Sequence, residues 1–214
     1  MIDTLWQLHI HSIPDYKGKI WVNQTGGLDS RVLGGIISKR RQIDFGFYYY
    51  YKESEHNLKH VEKIVSLLNY KDFEFIKMGQ SGYGQFDNAT FGLKLSYKQI
   101  AKYRYIVNSY GDAVSGRFKT KKRERKFFDE VYSKETHLPL TNFKSIEFPL
   151  WNPRLVGYFY SMPRYQRWFQ HGYMKMIKKH LPELYEVPRC FEEGHKPVKM
   201  DMFYLPRAAW SKYR

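Results

Sequence analysis

Between Lys17 and Met78 the chain alternates between short apolar runs and stretches whose apolar residues return every three or four positions. "KGKIWVN" (Lys17–Asn23) is a continuous apolar run between polar flanks and predicts a buried strand. In "GLDSRVLGGIISKRR" (Gly27–Arg41), Leu28, Val32, Leu33, Ile36 and Ile37 recur at helical spacing. Lys39, Arg40 and Arg41 close that segment, where the helix dipole favours cations. "QIDFGFYYYY" (Gln42–Tyr51) predicts a second strand. "EHNLKHVEKIVSLLN" (Glu55–Asn69) predicts a helix with Leu58, Val61, Val65 and Leu68 on one face, and "DFEFIKM" (Asp72–Met78) a third strand. Strand, helix, strand, helix, strand is the pattern of an α/β fold, a parallel sheet covered by helices on both faces.

Further along, "GQSGYGQFDNATFG" (Gly79–Gly92) reads as a loop. A helix is expected around Leu93–Lys102, then a strand, "YRYIVNSY" (Tyr103–Tyr110), ending in a Gly-Asp turn, "GDAVSGR". Later segments change character. "NPRLVGYFYSMP" (Asn152–Pro163) and "RYQRWFQHGYMKMIKKHL" (Arg164–Leu181) read as helices, the second with Trp168, Phe169, Tyr173, Met176 and Ile177 on one stripe. Pro182, Pro188, Pro197 and Pro206 punctuate a less regular tail. One domain is expected, with an α/β core over residues 1–116 and a mainly helical part over 127–214.

Composition narrows the classes. With 43% hydrophobic residues the chain can bury a core, which argues against disorder. Its formal net charge of +15 attracts polyanions. Part of that charge is concentrated in "RFKTKKRERK" (Arg117–Lys126), which reads either as a solvated face or as a nucleic-acid contact. The abundant Tyr and Phe could stack on bases, but Tyr, Phe, Lys, Ile and Asn also share AT-rich codons. A single cysteine, Cys190, excludes an intrachain disulfide and a Cys-rich zinc site. No signal peptide heads the sequence and no apolar run approaches a membrane span, so a soluble cytoplasmic protein is expected. His56 and His60 lie one helical turn apart but lack the glutamate of a zinc-protease motif, and read as surface histidines.

The chemistry concentrates in "WVNQTGGLDSRVL" (Trp21–Leu33), where a strand hands over to a helix. A glycine turn before a helix N-terminus presents backbone N–H groups to an anion. Gly26 and Gly27 let an oxyanion approach the backbone, and Thr25 and Ser30 add hydroxyl donors. Asp29 would repel a phosphate unless a cation lay between, a conflict that Mg²⁺ removes. The stretch is not a Walker A loop, because Gly-Lys-Ser/Thr is missing.

"TGGLDSR" resembles the SGGxDS loop of the PP-loop ATP pyrophosphatases, with adenine nucleotide alpha hydrolase-like fold, and most of all the synthetase domain of the asparagine synthetase and β-lactam synthetase family. "ESEHNLKHVEKIVSLLNYKDFEFIKM", "YIVNSYGDAVSG", "FPLWNPRLVGYFYSMP" and "KKHLPELYEVPR" resemble further family segments in the same order. The resemblance spans roughly Ile20 to Arg189. It implies that ATP is cleaved between its α and β phosphates to adenylate a carboxylate, which an amine then captures. Thr25, Gly26, Gly27, Leu28, Asp29, Ser30 and Gly111 would bind the nucleotide, and Asp29 with Asp112 would hold Mg²⁺.

Three departures matter. Ile2 stands where glutamine-hydrolysing members carry a cysteine nucleophile, so no glutaminase is expected in the chain. Its amine would come from free ammonia, an amine substrate or an ammonia-supplying partner. In "GDAVSGR", Gly111 and Asp112 match the start of the family's GDGxDExFGG turn, but Ser115 falls where a second metal-binding Asp belongs. Asp112 then either takes over that role or merely caps a turn. The family's late lysine, which neutralises the leaving pyrophosphate, aligns with Phe191; Lys196 is the candidate, with Lys199 behind it. Two alternatives stay open: a PP-loop RNA-modifying enzyme, and a catalytically degenerate ATP- or nucleic-acid-binding protein.

Overall fold

The computed structural model describes residues 1–22, 24–50, 52–77, 105–107, 146–147, 149–167 and 170–190. Helix α1 (Ile2–Ser12) leads into strand β1 (Ile20–Val22), helix α2 (Leu28–Arg40) and strand β2 (Ile43–Tyr50). A 3₁₀ turn (Lys52–Asn57) opens helix α3 (Leu58–Leu67), followed by β3 (Tyr70–Lys77), β4 (Tyr105–Val107) and β5 (Ile146–Glu147). After a second 3₁₀ turn (Pro149–Trp151) come α4 (Pro153–Ser161), α5 (Arg164–Arg167), α6 (His171–His180) and α7 (Pro182–Tyr185). The strands form one sheet in the order β3-β2-β1-β4-β5. All its pairings are parallel, among them Trp21 opposite Phe45 and Val22 opposite Val107. The α/β character expected from the alternating pattern is therefore present.

Side chains alternate across a strand. Ile20 and Val22 enter a single core cluster with residues of α1, α2, α3, α4, α6 and α7. Trp21 points the other way, with Phe45 and Phe47 at ring distances of 5.6 and 5.3 Å, and all three are buried. The helix expected at Leu93–Lys102 lies outside the described residues, so helices on the second face remain an expectation.

Several elements differ from the sequence reading. α1 was not anticipated, yet Leu5, Trp6, His9 and Ser12 form its buried stripe. On the expected face of α3, Val61 and Leu68, just past its end, are buried, Leu58 and Val65 are half-buried against Val61 and its neighbours, and Ile64 is a further buried position. The single helix expected over Arg164–Leu181 is interrupted: Gln170 adopts φ 61, a left-handed conformation that no α-helix continues through. Its oxygen Oε1 accepts a bond from Arg189 Nη2 at 2.7 Å, which holds the break in place.

The basic end of α2 does more than complement a dipole. Lys39 donates to the His180 carbonyl at 2.8 Å, at the last turn of α6. Arg40 donates to the carbonyls of Ile10 and Ile13, and Arg41 to those of Tyr16 and Gly18. Carbonyls at a helix end have no partner within the helix. The cations of α2 supply one, and so dock α1, α6 and the approach to β1 onto the same helix.

Two buried polar groups carry consequences. Tyr70, at the start of β3, reaches across β2 to donate to the Val22 carbonyl at 2.8 Å. It passes over Gly46, where a Cβ would lie 2.5 Å from the Tyr70 ring and 2.5 Å from the Val22 oxygen. His9 is fully buried and its Nδ1 donates to the Leu5 carbonyl at 2.8 Å. Burial disfavours its charged form and pushes its pKa from 6.5 down to about 4, against the Leu5 bond.

Gly46→Ala should therefore lower stability by about 2–3 kcal/mol in urea denaturation, because the new methyl must part β1 from β2 or displace Tyr70. His9 favours the fold fully above its ordinary pKa, and that contribution is lost as pH falls from 6.5 towards 4, where the unfolded chain takes the proton first. The loss should approach about 3 kcal/mol over that window. Denaturation midpoints in His9→Gln should fall less steeply with acid than those of the unaltered chain, and equal slopes would refute this.

Candidate anion-binding site

The loop between β1 and α2 sits where the sheet order turns. β2 and β3 lie on one side of β1, β4 and β5 on the other. Ligands of open parallel sheets bind outside the carboxyl ends of the strands at such a switch point. Residues 24–27 leave that end of β1 and feed the N-terminus of α2.

Local chemistry explains why the chain turns here. Gly26 adopts φ 72, and a Cβ on it would lie 2.6 Å from Cys190 Cβ and 2.9 Å from Cys190 Sγ. Backbone conformation and space both demand glycine. Gly27 is the N-cap of α2 and has no side chain to cap it. Among the described residues a Cβ there would meet only Thr25 Oγ1, at 3.2 Å, and they leave this side of the loop open. The N–H groups of the first helical turn have no acceptor within the helix and carry its positive end.

Thr25, Gly27 and Ser30 close a small ring of bonds. Thr25 N donates to Ser30 Oγ at 3.3 Å, and Ser30 Oγ donates to the Gly27 carbonyl at 3.3 Å. Gly27 N donates to Thr25 Oγ1 at 3.3 Å, and the two hydroxyls approach at 3.2 Å. Ser30 is buried, so its hydroxyl braces the loop from inside, while Thr25 and Gly27 are half-exposed. Gln24 adds a bond from Nε2 to the Ser30 carbonyl at 2.7 Å.

Asp29 lies in the first turn of α2 and is half-buried, with Oδ1 closed to solvent. Tyr173 of α6 stands beside it, fully buried. Burial first, and the Asp29 charge second, push the Tyr173 hydroxyl well above its ordinary pKa, so it stays protonated. Leu28, expected among the nucleotide contacts, is buried in the core and offers only its backbone.

Behind the loop lies a group that the sequence reading missed. Arg31 has no exposed surface. It donates from Nε at 3.3 Å and Nη2 at 2.9 Å to the Gly26 carbonyl, and from Nη1 at 2.8 Å to the Leu184 carbonyl. Further bonds run to the carbonyls of Val187 and Pro188. Cys190 N also donates to Gly26 O, at 3.2 Å. Burial pushes the Arg31 pKa down to about 10, Cys190 opposing and Arg189 adding to the shift, which leaves it charged at neutral pH. Burial also pushes the Cys190 thiol up to about 11, Arg31 opposing, so the thiol stays neutral. The sequence signal was an arginine beside Leu28 and Val32 on an apolar helix, but its partners beyond Gly26 lie more than 150 residues away.

The donor set suits a phosphate: backbone N–H groups at a helix N-terminus, a hydroxyl, and an open glycine face. For Mg²⁺ the described residues offer Asp29, and among them no group of three or more His, Cys, Asp or Glu could hold a metal ion. Gly111, Asp112, Lys196, Lys199 and the run Arg117–Lys126 lie outside the described residues. His56 is exposed and His60 half-buried, on either side of the junction between the 3₁₀ turn and α3. Among the described residues no helix is long and apolar enough to cross a membrane. No protein-family model matches the chain, and no curated protein matches it significantly.

The two glycines should respond unequally to alanine. Gly26→Ala should destabilise the chain by about 3 kcal/mol, from positive φ and the collision with Cys190 together. Gly27→Ala should change stability by about 1 kcal/mol or less, since among the described residues only the Thr25 hydroxyl must give way. Urea denaturation of the pair gives the ranking, and a larger effect at Gly27 would contradict this loop geometry.

Proposed function

We propose that the chain is an ATP-dependent adenylating enzyme that binds the phosphates of ATP at residues 25–30. The observation that supports this best is the loop itself. An open Gly27 and a helix N-terminus stand at the switch point of a parallel sheet, beside a half-buried Asp29. Mg²⁺–ATP supplies the anhydride to be broken. A substrate carboxylate oxygen forms a bond to the α phosphorus as the bond to the bridging oxygen breaks, pyrophosphate departs, and an amine then displaces AMP. The chain's residues bind and orient: the N–H groups of Gly27 and the first turn of α2 would donate to phosphate oxygens, and Asp29 would hold the cation. Asp112 would share the metal. Lys196 would neutralise the departing pyrophosphate.

The reading in which the adenylated group is a base in RNA draws on the net charge of +15 and the run Arg117–Lys126. Pyrophosphate release should be measured with Mg²⁺–ATP against amino acids, other small carboxylates and total tRNA. Release is expected with one of them, falling by about two orders of magnitude in Asp29→Ala, with thermal melting as the check that the variant folds. Stimulation by tRNA alone would select the RNA reading. ATP binding without release under any condition would leave a nucleotide-binding protein without catalysis. Release indifferent to Asp29→Ala would place the chemistry elsewhere.

A further inference from the structure

The Gly26 carbonyl accepts three bonds, two from Arg31 and one from Cys190 N, all from the interior side of the loop. A planar trans peptide points its C=O and the following N–H in opposite directions. Drawing the Gly26 oxygen inward therefore turns the Gly27 N–H outward. There it meets Thr25 Oγ1 at 3.3 Å, a long bond to a half-exposed hydroxyl. A guanidinium has five N–H donors in a fixed fork. Arg31 commits every one to a backbone carbonyl: two to Gly26, and the others to Leu184, Val187 and Pro188. The fork is thus held from both ends, and the peptide that it pulls on cannot easily flip.

We propose that Arg31 is a positioning residue that fixes the Gly26–Gly27 peptide so that the Gly27 N–H faces the phosphate, and that its buried charge adds to the pull on an anion. This rests on the anion-binding reading of the loop. A lysine keeps the charge but has no planar fork, and a glutamine keeps neither. Arg40 is the matched control, because it also holds two backbone carbonyls, those of Ile10 and Ile13, but at the far end of α2.

The test is calorimetric binding of inorganic pyrophosphate with Mg²⁺ at a temperature where circular dichroism shows each variant folded. Relative to the unaltered chain, Arg31→Gln should bind on the order of tenfold more weakly and Arg31→Lys should fall between. Arg40→Gln should lose stability and keep its affinity. Folded Arg31 variants that bind as well as the unaltered chain would overturn the inference, as would equal losses in Arg31→Gln and Arg40→Gln. Should the Arg31 variants not fold, the unaltered chain decides: its Gly27 amide proton must move downfield in NMR as pyrophosphate is added, and an unmoved signal during binding refutes the proposal. No binding by the unaltered chain would instead overturn the anion-binding reading itself.

Discussion

The oxygen of Gly26 and the guanidinium of Arg31 meet at the point where sheet, helix and C-terminal segment join. Removing a charged group from water costs several kcal/mol even after relaxation, so a buried arginine must recover that in bonds. It does so on backbone that has no regular partner. Residues 184–190 leave α7 through a proline-containing turn, and the carbonyls of Leu184, Val187 and Pro188 turn inward to Arg31. Buried carbonyls left unpaired would each cost about 1–3 kcal/mol. An apolar side chain at position 31 could fill the volume but would orphan them. The irregular backbone and the arginine therefore need each other, and the glycine loop is caught between them.

The same logic runs along the whole of α2. Its N-terminal end faces the loop with N–H groups that have no acceptor within the helix, while Lys39, Arg40 and Arg41 at the other end close carbonyls of α1, α6 and the approach to β1. Arg31 does likewise for the segment after α7. Of these cations Arg31 is fully buried, while Lys39 and Arg40 stay exposed and still fix where the helices dock. Composition alone does not separate cations that hold the fold together from the rest.

These distinctions mark how far the sequence could be read. Gly46→Ala tests a contact that no pattern announces, since Tyr70 and Val22 meet only once β1, β2 and β3 pair. The strands β1 to β3 and helix α2 were legible because apolar runs and helical spacing are local signals. α1 escaped because Asp3, His9 and His11 dilute its apolar stripe, and because a buried neutral histidine looks like a polar one. The break at Gln170 escaped because no glycine or proline marks it; the left-handed turn is held by Arg189, from a later segment. β5 spans two residues, too few for any periodicity. In the candidate site, the turn and its helix were visible as Thr25 to Ser30, whereas Arg31 was not.

The loop's own bonds explain why it can be shaped before a ligand arrives. In the ring of Thr25, Gly27 and Ser30 every contact is 3.2–3.3 Å, the long end of hydrogen-bond distances. Such bonds satisfy the backbone without binding it tightly. An incoming phosphate oxygen would trade the long Gly27–Thr25 bond for a shorter charge-assisted one, and return the Thr25 oxygen to other donors. Little must be broken, and the Gly26–Gly27 peptide is already held from behind by the fork of Arg31. Ordering costs that would otherwise be met at binding are met in folding instead. A loop built this way would gain affinity for a phosphate from what lies beneath it as much as from the groups it shows to the ligand.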